Sequence, residues 1–484
     1  MVAFHSLLLE YWPHITFLIS LAVGATAAIH AAMTKNDVRA AIGWVGVILM
    51  SPLFGPFFYL CAGINRVRRD QMVQQREPSL TDYSNNQELP VADVTAYSAA
   101  QFASLRVLGD HISRFPLHER NHIQILIGGD QAYPAMIAAI NEAKKTIGLQ
   151  TYIFDNDEEG RKIVSALAQA RARGVEIRVL IDAIGSKYSR PPIIRLLRKK
   201  GIRTALFMTN PLGMRMPYAN LRSHRKILVV DGRIGFTGGM NIRAGFVAAI
   251  AKEKIAGDTH FRVEGAIVKQ LFSVFAHDWE FTTKEALPQA VWCCGDWDPP
   301  LPHAPARCIR SGPDRSIVST HNMLLGAFAV AQHHIRIQSP YFLPDQVLLG
   351  AINTAARRGI QVDIVIPGRN NLRLVNYAMT AQLDQVIRYG CRVWSARNNF
   401  NHSKLITIDG AWSYVGSSNL DPRSLRLNFE LDVEIYSRDT ARDLEDLIDS
   451  EIELAEPVTL QSLAAMPFRK RLRNKIIWLA SPYL

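Results

Sequence analysis

Ser223-His224-Arg225-Lys226-Ile227-Leu228-Val229-Val230-Asp231-Gly232 lies near the middle of the chain. It returns towards the C-terminus as Asn401-His402-Ser403-Lys404-Leu405-Ile406-Thr407-Ile408-Asp409-Gly410. Both stretches read His-x-Lys, four aliphatic or β-branched residues, then Asp-Gly. The apolar run predicts a buried strand, and Asp-Gly a turn that ends it. Side chains two apart on a strand share a face, so His and Lys are expected to emerge together. A nucleophile or general base then stands beside a fixed positive charge.

The parallel continues beyond each stretch. Gly238-Gly239-Met240-Asn241 follows the first and Gly416-Ser417-Ser418-Asn419 the second, and each asparagine lies seventeen residues after its histidine. A lone asparagine is usually a turn residue. Two at one offset, each after small residues that let backbone come close, mark a site.

The repeat reaches further. His122–Ile127 reads as a strand, Gly128-Gly129-Asp130 as a turn, Ala135–Lys145 as an amphipathic helix, and Ile147–Phe154 as a second strand. Cys308–Asp314, a helix over His321–Gln332, and Ile335–Phe342 repeat that order. A helix closed by Gly174 and one closed by Gly359 each lead into an alternating strand, Val175–Ile181 and Ile360–Ile366. This βαβ pattern implies mixed sheets flanked by helices. Its period is too long for a solenoid. The fold expected is α/β, with two homologous lobes over residues 116–300 and 301–484.

Residues 11–34 and 40–65 carry no Asp, Glu, Lys or Arg. Each is long enough for a bilayer-spanning helix. A cleaved signal peptide is disfavoured, because the first ten residues hold Glu10 and no Lys or Arg. Pro52 and Pro56 suit a kinked second span. The short turn at Thr34–Arg39 makes residues 1–69 a two-helix transmembrane hairpin. Arg66, Arg68, Arg69 and Arg76 outnumber Lys35 and Arg39 in the turn, which places the lobes on the cytoplasmic side. Residues 70–115, Gln-, Ser- and Asn-rich at first, are expected to be a solvated linker.

The chain has 484 residues and a formal charge of +12, which favours a polyanionic partner, nucleic acid or an acidic lipid surface. Its five cysteines have no metal-site spacing and read as free thiols. No His/Asp/Glu cluster has metal-ligand spacing, so no metal and no other cofactor is expected.

The doubled His-x-Lys-x4-Asp-Gly with its trailing asparagine resembles the phospholipase D superfamily. The hairpin, the lobe order and Asp258-Thr259-His260-Phe261-Arg262-Val263-Glu264-Gly265 are similar to the bacterial cardiolipin synthases within it. The resemblance covers essentially the whole chain. It implies that one histidine attacks a phosphodiester to form a phosphohistidine, while the other protonates the leaving alcohol and deprotonates the incoming one. Which histidine attacks is left open by the resemblance; His224 is preferred. It assigns catalytic roles to the motif residues His224, Lys226, Asp231, His402, Lys404 and Asp409, although Asp231 and Asp409, at strand ends, suit turn-holding better. It further implies that Glu430 buttresses the second histidine and that Asp258 is its counterpart in the first lobe.

Neutral imidazole is nucleophilic and imidazolium is an acid, and both forms exist near neutral pH. Lys226, Lys404, Asn241 and Asn419 are expected around the phosphate oxygens. A charge at ~4 Å is worth about 4 kcal/mol at an effective dielectric of ~20, so two lysines can replace a divalent ion. Tyr152 and Tyr341, at matching positions, line a cleft or pack in the core. Arg469, Lys470, Arg471, Arg473 and Lys475 next to Ile476–Leu479 suit a solvated face or an anionic membrane surface.

The function expected is a multi-pass enzyme of the bacterial inner membrane. It joins two molecules of the anionic phospholipid phosphatidylglycerol, one donor and one acceptor, into cardiolipin and glycerol. The rivals are a hydrolase of the same fold (a phospholipase D or a nuclease) and an inactive anionic-lipid-binding protein. A nuclease needs no membrane spans, so no nucleic-acid partner is expected. The sequence does not fix the oligomeric state.

Overall fold

In the computed structural model, the described residues are 2–35, 37–63, 76, 93–209, 220–293, 299–397 and 399–481. Cys294, residues 77–92 and the arginines 66, 68 and 69 lie outside them. The other four cysteines are free. The chain divides into two units, Met1–Arg68 and Arg69–Leu484.

The first unit is a helix over Val2–Thr34, in which Tyr11–Thr34 is long and apolar enough to cross a membrane. Asp37 caps a second helix, Val38–Met50. From Tyr11 onwards, large apolar side chains of both helices stand exposed, among them Ile15, Phe17, Leu18, Ile42 and Leu49. The second span expected over 40–65 is broken rather than merely kinked. The helix stops at Met50 and two short helical segments, Phe54–Phe58 and Tyr59–Gly63, follow. Pro52, which lacks an N–H, lies at the break. His30 Nδ1 meets the Tyr59 hydroxyl at 2.8 Å and ties the segment after the break to the first helix.

The second unit holds the two lobes. Strands of the first are β1 (Asn121–Ile127), β2 (Thr146–Thr151), β3 (Glu176–Asp182), β4 (Arg203–Phe207), β5 (Arg222–Ser223), β6 (Ile227–Val230), β7 (Ile234–Gly238) and β8 (Thr259–Gly265). Those of the second are β9 (Ala306–Ser311), β10 (His334–Gln338), β11 (Gln361–Pro367), β12 (Arg392–Ala396), β13 (Leu405–Ile408), β14 (Trp412–Gly416), β15 (Asn428–Tyr436) and β16 (Ala455–Val458). The first sheet runs β1-β8-β7-β6-β2-β3-β4; the second repeats this as β9-β15-β14-β13-β10-β11-β12 and adds β16. Parallel pairs joined through helices and antiparallel hairpins coexist in both, as the repeated pattern implied.

Two boundaries differ from expectation. Gly128–Asp130 is the first turn of the helix Gly128–Glu142 and not a separate turn. Residues 93–115 are not a tether. Phe102 and Leu105 of the helix Phe102–Ile112 are buried in the core of the second lobe with Met323, Leu324 and Phe328. Arg76 is also buried, with its guanidinium 2.5 Å from Asp278 Oδ1.

The lobes meet through short parallel pairings that cross between them. β5 of the first lobe pairs with β15 of the second, and Gly257 of the first bridges Asn401 of the second. The two His-x-Lys stretches therefore enter the structure against the opposite lobe.

Candidate active site

Each His-x-Lys lies in extended chain just before its strand, because β6 starts at Ile227 and β13 at Leu405. The expectation that His and Lys belong to the strand itself is thus shifted by a few residues. The His224 N–H donates to Phe429 O at 2.9 Å, and the His402 N–H to Gly257 O at 2.7 Å. Both bonds cross the lobe boundary. They bring the next residues along the chain, Glu430 and Asp258, beside the rings.

The carboxylates are exchanged relative to expectation. Glu430 Oε2 lies 2.9 Å from His224 Nδ1, and Asp258 Oδ2 3.0 Å from His402 Nδ1. Glu430 therefore orients the first histidine and Asp258 the second. With Nδ1–H donated to a carboxylate, each ring keeps Nε2 as its free basic nitrogen. The two ring centroids are 6.3 Å apart at an interplanar angle of 79°.

Glu430 is fully buried and saturated: Ser417 Oγ donates to Oε2 at 2.6 Å, Ser424 Oγ and Asn428 Nδ2 to Oε1 at 2.8 and 3.0 Å. Burial alone would raise its pKa. His224, Lys226 and Ser417 outweigh that and hold it at about 2. Asp258 is likewise held low against its burial, by His402 and then Lys404. Burial lowers His224, against the pull of Glu430. Burial and then the Lys404 charge push His402 down to about 3.

Lys226 and Lys404 are buried beneath their histidines. Lys226 Nζ donates to His224 O at 2.6 Å; Lys404 Nζ donates to His402 O and lies 3.0 Å from His402 Nδ1. Burial lowers Lys226 to about 7 and Lys404 to about 8. These charges are poorly hydrated, and an anion between the histidines would restore them.

Above the rings opens a cavity of about 1090 Å³, lined by both histidines, Asn241, Asn419, Tyr152 and Tyr341 among others. Asn241 Oδ1 accepts from Ile153 N–H at 3.1 Å, and Asn419 Nδ2 donates to Ser424 Oγ at 3.3 Å. Tyr152 packs edge-on against His224 at 5.4 Å and Tyr341 against His402 at 6.0 Å. Both tyrosines therefore line the cleft.

Asp231 and Asp409, grouped above with the catalytic residues, stand at the other ends of β6 and β13. That is roughly 15 Å along the chain from the lysines. Each has φ +53°. Asp231 accepts from the N–H groups of Lys144, Lys145 and Thr146 at 2.7–2.8 Å, and Asp409 from those of Gln332, His333 and His334 at 2.8–2.9 Å. Their place in the motif is structural: they pin the loop that feeds β2 and β10.

Sequence reasoning missed Arg225. It is fully buried, gives Nη1 to Asp278 Oδ2 at 2.7 Å and Nε to Glu430 O at 3.0 Å, and so locks the first motif to the second lobe. An arginine between two functional residues and before an apolar strand was the available signal. Ser417, Ser424 and Asn428 were also missed as the partners of Glu430. Among the described residues, no group of three or more His, Cys, Asp or Glu is placed to hold a metal ion.

Two lobes of one topology that set a doubled His-x-Lys against exchanged carboxylates across a single cavity define a phospholipase D-like enzyme. The family described as "Cardiolipin synthase, PLD-like domain" matches residues 136–279 and 324–452. Cardiolipin synthase A of Pseudomonas fluorescens is 30% identical over 98% of this chain and 99% of its own, and that of Pseudomonas syringae pv. syringae 31% over 96% of each. Phosphatidylserine synthase of Haemophilus influenzae has the same fold, with a TM-score of 0.60 at 16% identity over 79% of this chain and 100% of that one. The chain belongs to the cardiolipin synthase family.

Proposed function

We propose that the protein is a membrane phosphatidyltransferase that makes cardiolipin and glycerol from two molecules of phosphatidylglycerol. The observation that carries this reading is the pair of facing histidines, each with Nδ1 on a buried carboxylate and Nε2 free, in a cavity large enough for lipid headgroups. The family to which the chain belongs supplies the substrate class.

In the first step Nε2 of one histidine attacks the phosphorus of the donor. The other histidine, neutral before substrate binds, takes up a proton as the charge of the bound phosphodiester raises its pKa. The P–O bond to glycerol breaks, and this histidine gives its proton to the leaving oxygen. The phosphatidyl group is then held on nitrogen. In the second step the terminal hydroxyl of the acceptor loses its proton to that second histidine and attacks phosphorus, and the P–N bond breaks. The proton borrowed is returned, so the reaction needs no outside acid or base. Lys226 and Lys404 supply the positive charge that the phosphoryl oxygens require.

Water is the competing nucleophile. Transfer prevails where the acceptor is held at high effective concentration and water is limited. An apolar anchor of the kind seen at Tyr11–Thr34 keeps the chain on a surface where the second lipid is already concentrated. Localisation in the bacterial inner membrane, with the lobes cytoplasmic, belongs to the same proposal.

The test is incubation of the full chain, in vesicles of labelled phosphatidylglycerol, followed by product identification. Cardiolipin and glycerol are expected in equal amounts. Phosphatidic acid as the main product would mean hydrolysis and overturn the reading.

A further inference from the structure

The duplicated parts of the site serve the phosphate that reacts. One charged feature on the cavity wall is not duplicated. Arg222, in β5, and Arg423, in the short helix Pro422–Arg426, both line the cavity and are half-buried. Neither forms an ion pair with a described carboxylate. Each makes one hydrogen bond, to a backbone carbonyl: Arg222 Nη1 to Leu221 O at 2.5 Å and Arg423 Nη2 to Asn220 O at 3.3 Å. A guanidinium has five N–H donors, so most of both forks stays unused by the described protein.

The carboxylates nearest in effect are already engaged. Asp182 accepts from the N–H groups of Ile184, Gly185 and Ser223, and Asp421 caps Ser424 N–H. Burial lowers the Arg222 pKa; Asp182 opposes this and the like charge of Arg423 adds to it. Two guanidiniums within each other's field, neither in ion-pair contact and each with most of its N–H donors unused, form a preset anion site.

The pseudo-twofold shows that the pair stands on one side only. Arg222 precedes His224 by two residues, and the residue in that place before His402 is Phe400, which packs on the His402 ring at 5.8 Å. Arg243, two residues after Asn241, also lines the cavity but is paired with Asp155 at 3.0 Å. Arg369 and Lys254 are exposed at the rim, where solvent screens them.

A donor phosphatidylglycerol brings one phosphate, and that one reacts. The acceptor brings another that must stay intact, three carbons from the attacking hydroxyl. Arg222 and His224, two residues apart in the chain, line the same cavity, as a phosphate held at the guanidinium and another between the histidines require. We propose that Arg222 and Arg423 form the subsite for the intact phosphodiester of the acceptor phospholipid. This rests on the transferase reading above and adds what selects the acceptor.

The experiment uses the full chain in vesicles of phosphatidylglycerol and phosphatidylcholine, with labelled glycerol as a competing, uncharged acceptor. Transfer to glycerol regenerates phosphatidylglycerol carrying label; transfer to phosphatidylglycerol gives cardiolipin. In Arg222→Gln and in Arg423→Gln the ratio of cardiolipin formed to glycerol exchanged should fall roughly tenfold to a hundredfold, the worth of a charge-assisted contact. Arg222→Lys should recover part of it, since charge is kept and the fork is lost. A ratio equal to that of the wild type in both glutamine variants would overturn the subsite alone. A wild-type enzyme that exchanges glycerol but forms no cardiolipin would defeat the functional reading, and the subsite with it.

Discussion

Glu430→Gln tests the exchanged pairing most directly. In the proposed two-histidine mechanism the His224 ring becomes cationic during turnover whichever role it takes, as a phosphorylated imidazole or as the protonated acid. The carboxylate sits 2.9 Å from Nδ1 and is fully buried. A charge pair at ~4 Å is worth about 4 kcal/mol at an effective dielectric of ~20. Glutamine keeps the shape and one hydrogen bond, which returns about 1 kcal/mol. The net loss of about 3 kcal/mol predicts a kcat roughly a hundredfold lower. Glu430 also raises Lys226, so its removal lowers the lysine further, and the basic limb of kcat/KM moves to lower pH. The assay is the initial rate of cardiolipin formation in phosphatidylglycerol vesicles between about pH 5 and 9, with thermal melts to verify folding. Histidine NMR supplies the decisive readout: the variant should lower the pKa of His224 and leave the His402 signal in place. A perturbed His402 with an unmoved His224 would show that each carboxylate serves its own lobe, and would refute the reasoning.

Three further outcomes are expected. Lys226 titrates at about 7 in the fold against an ordinary 10.5, so the unfolded chain holds its proton more tightly. The folded state carries the whole cost below pH ~7 and sheds it as pH rises towards ~10.5. Lys226→Met should therefore abolish turnover while stabilising the lobes by a few kcal/mol at pH ~6 and by less at pH ~9, read by thermal melts. A less stable variant at pH ~6 would contradict this. Asp231→Asn and Asp409→Asn should each cost about 1–3 kcal/mol of stability, because backbone donors lose a charged acceptor, yet leave per-molecule kcat within about threefold. A loss of kcat comparable to that of Glu430→Gln would return these residues to the catalytic group. A reporter fused after Leu484 should be cytoplasmic, and an exported one would reverse the topology.

The lobes were legible because the repeat is written twice. One His-x-Lys-x4-Asp-Gly predicts a strand and a turn; two, with Asn241 and Asn419 at one offset, predict two related sheets and a shared site. The partner of each histidine was not legible. Same-lobe and cross-lobe pairing use the same residues, and only the docking of β5 on β15 and of Asn401 on Gly257 decides between them. The helix Phe102–Ile112 was hidden by the Gln-, Ser- and Asn-rich stretch before it. Yet Phe102, Leu105, Leu108 and Ile112 recur at helical spacing and face the second core. Arg76 was counted for the orientation of the hairpin, but its burial gave no signal. An isolated arginine in a polar stretch reads as solvated, and its burial against Asp278 depends on a pocket that both lobes build.

The exchange of carboxylates also makes each copy of the repeat depend on the other. A single lobe would present a histidine whose Nδ1 has lost its acceptor and whose N–H has lost the carbonyl of Phe429 or Gly257. It would keep a buried lysine with only its own lobe's carboxylates to offset the charge, Asp258 for Lys226 and Glu430, Asp421 and Asp432 for Lys404. In the joined lobes Glu430 and Asp258 offset that cost in part, and burial still holds Lys226 at about 7 and Lys404 at about 8. A phosphodiester between the rings adds the missing negative charge and raises both lysines towards full protonation. The site is thus least favourable to its own lysines when no anion is present. In the proposed reaction, the free energy released when the substrate restores them is available for holding the phosphoryl group in line between His224 and His402.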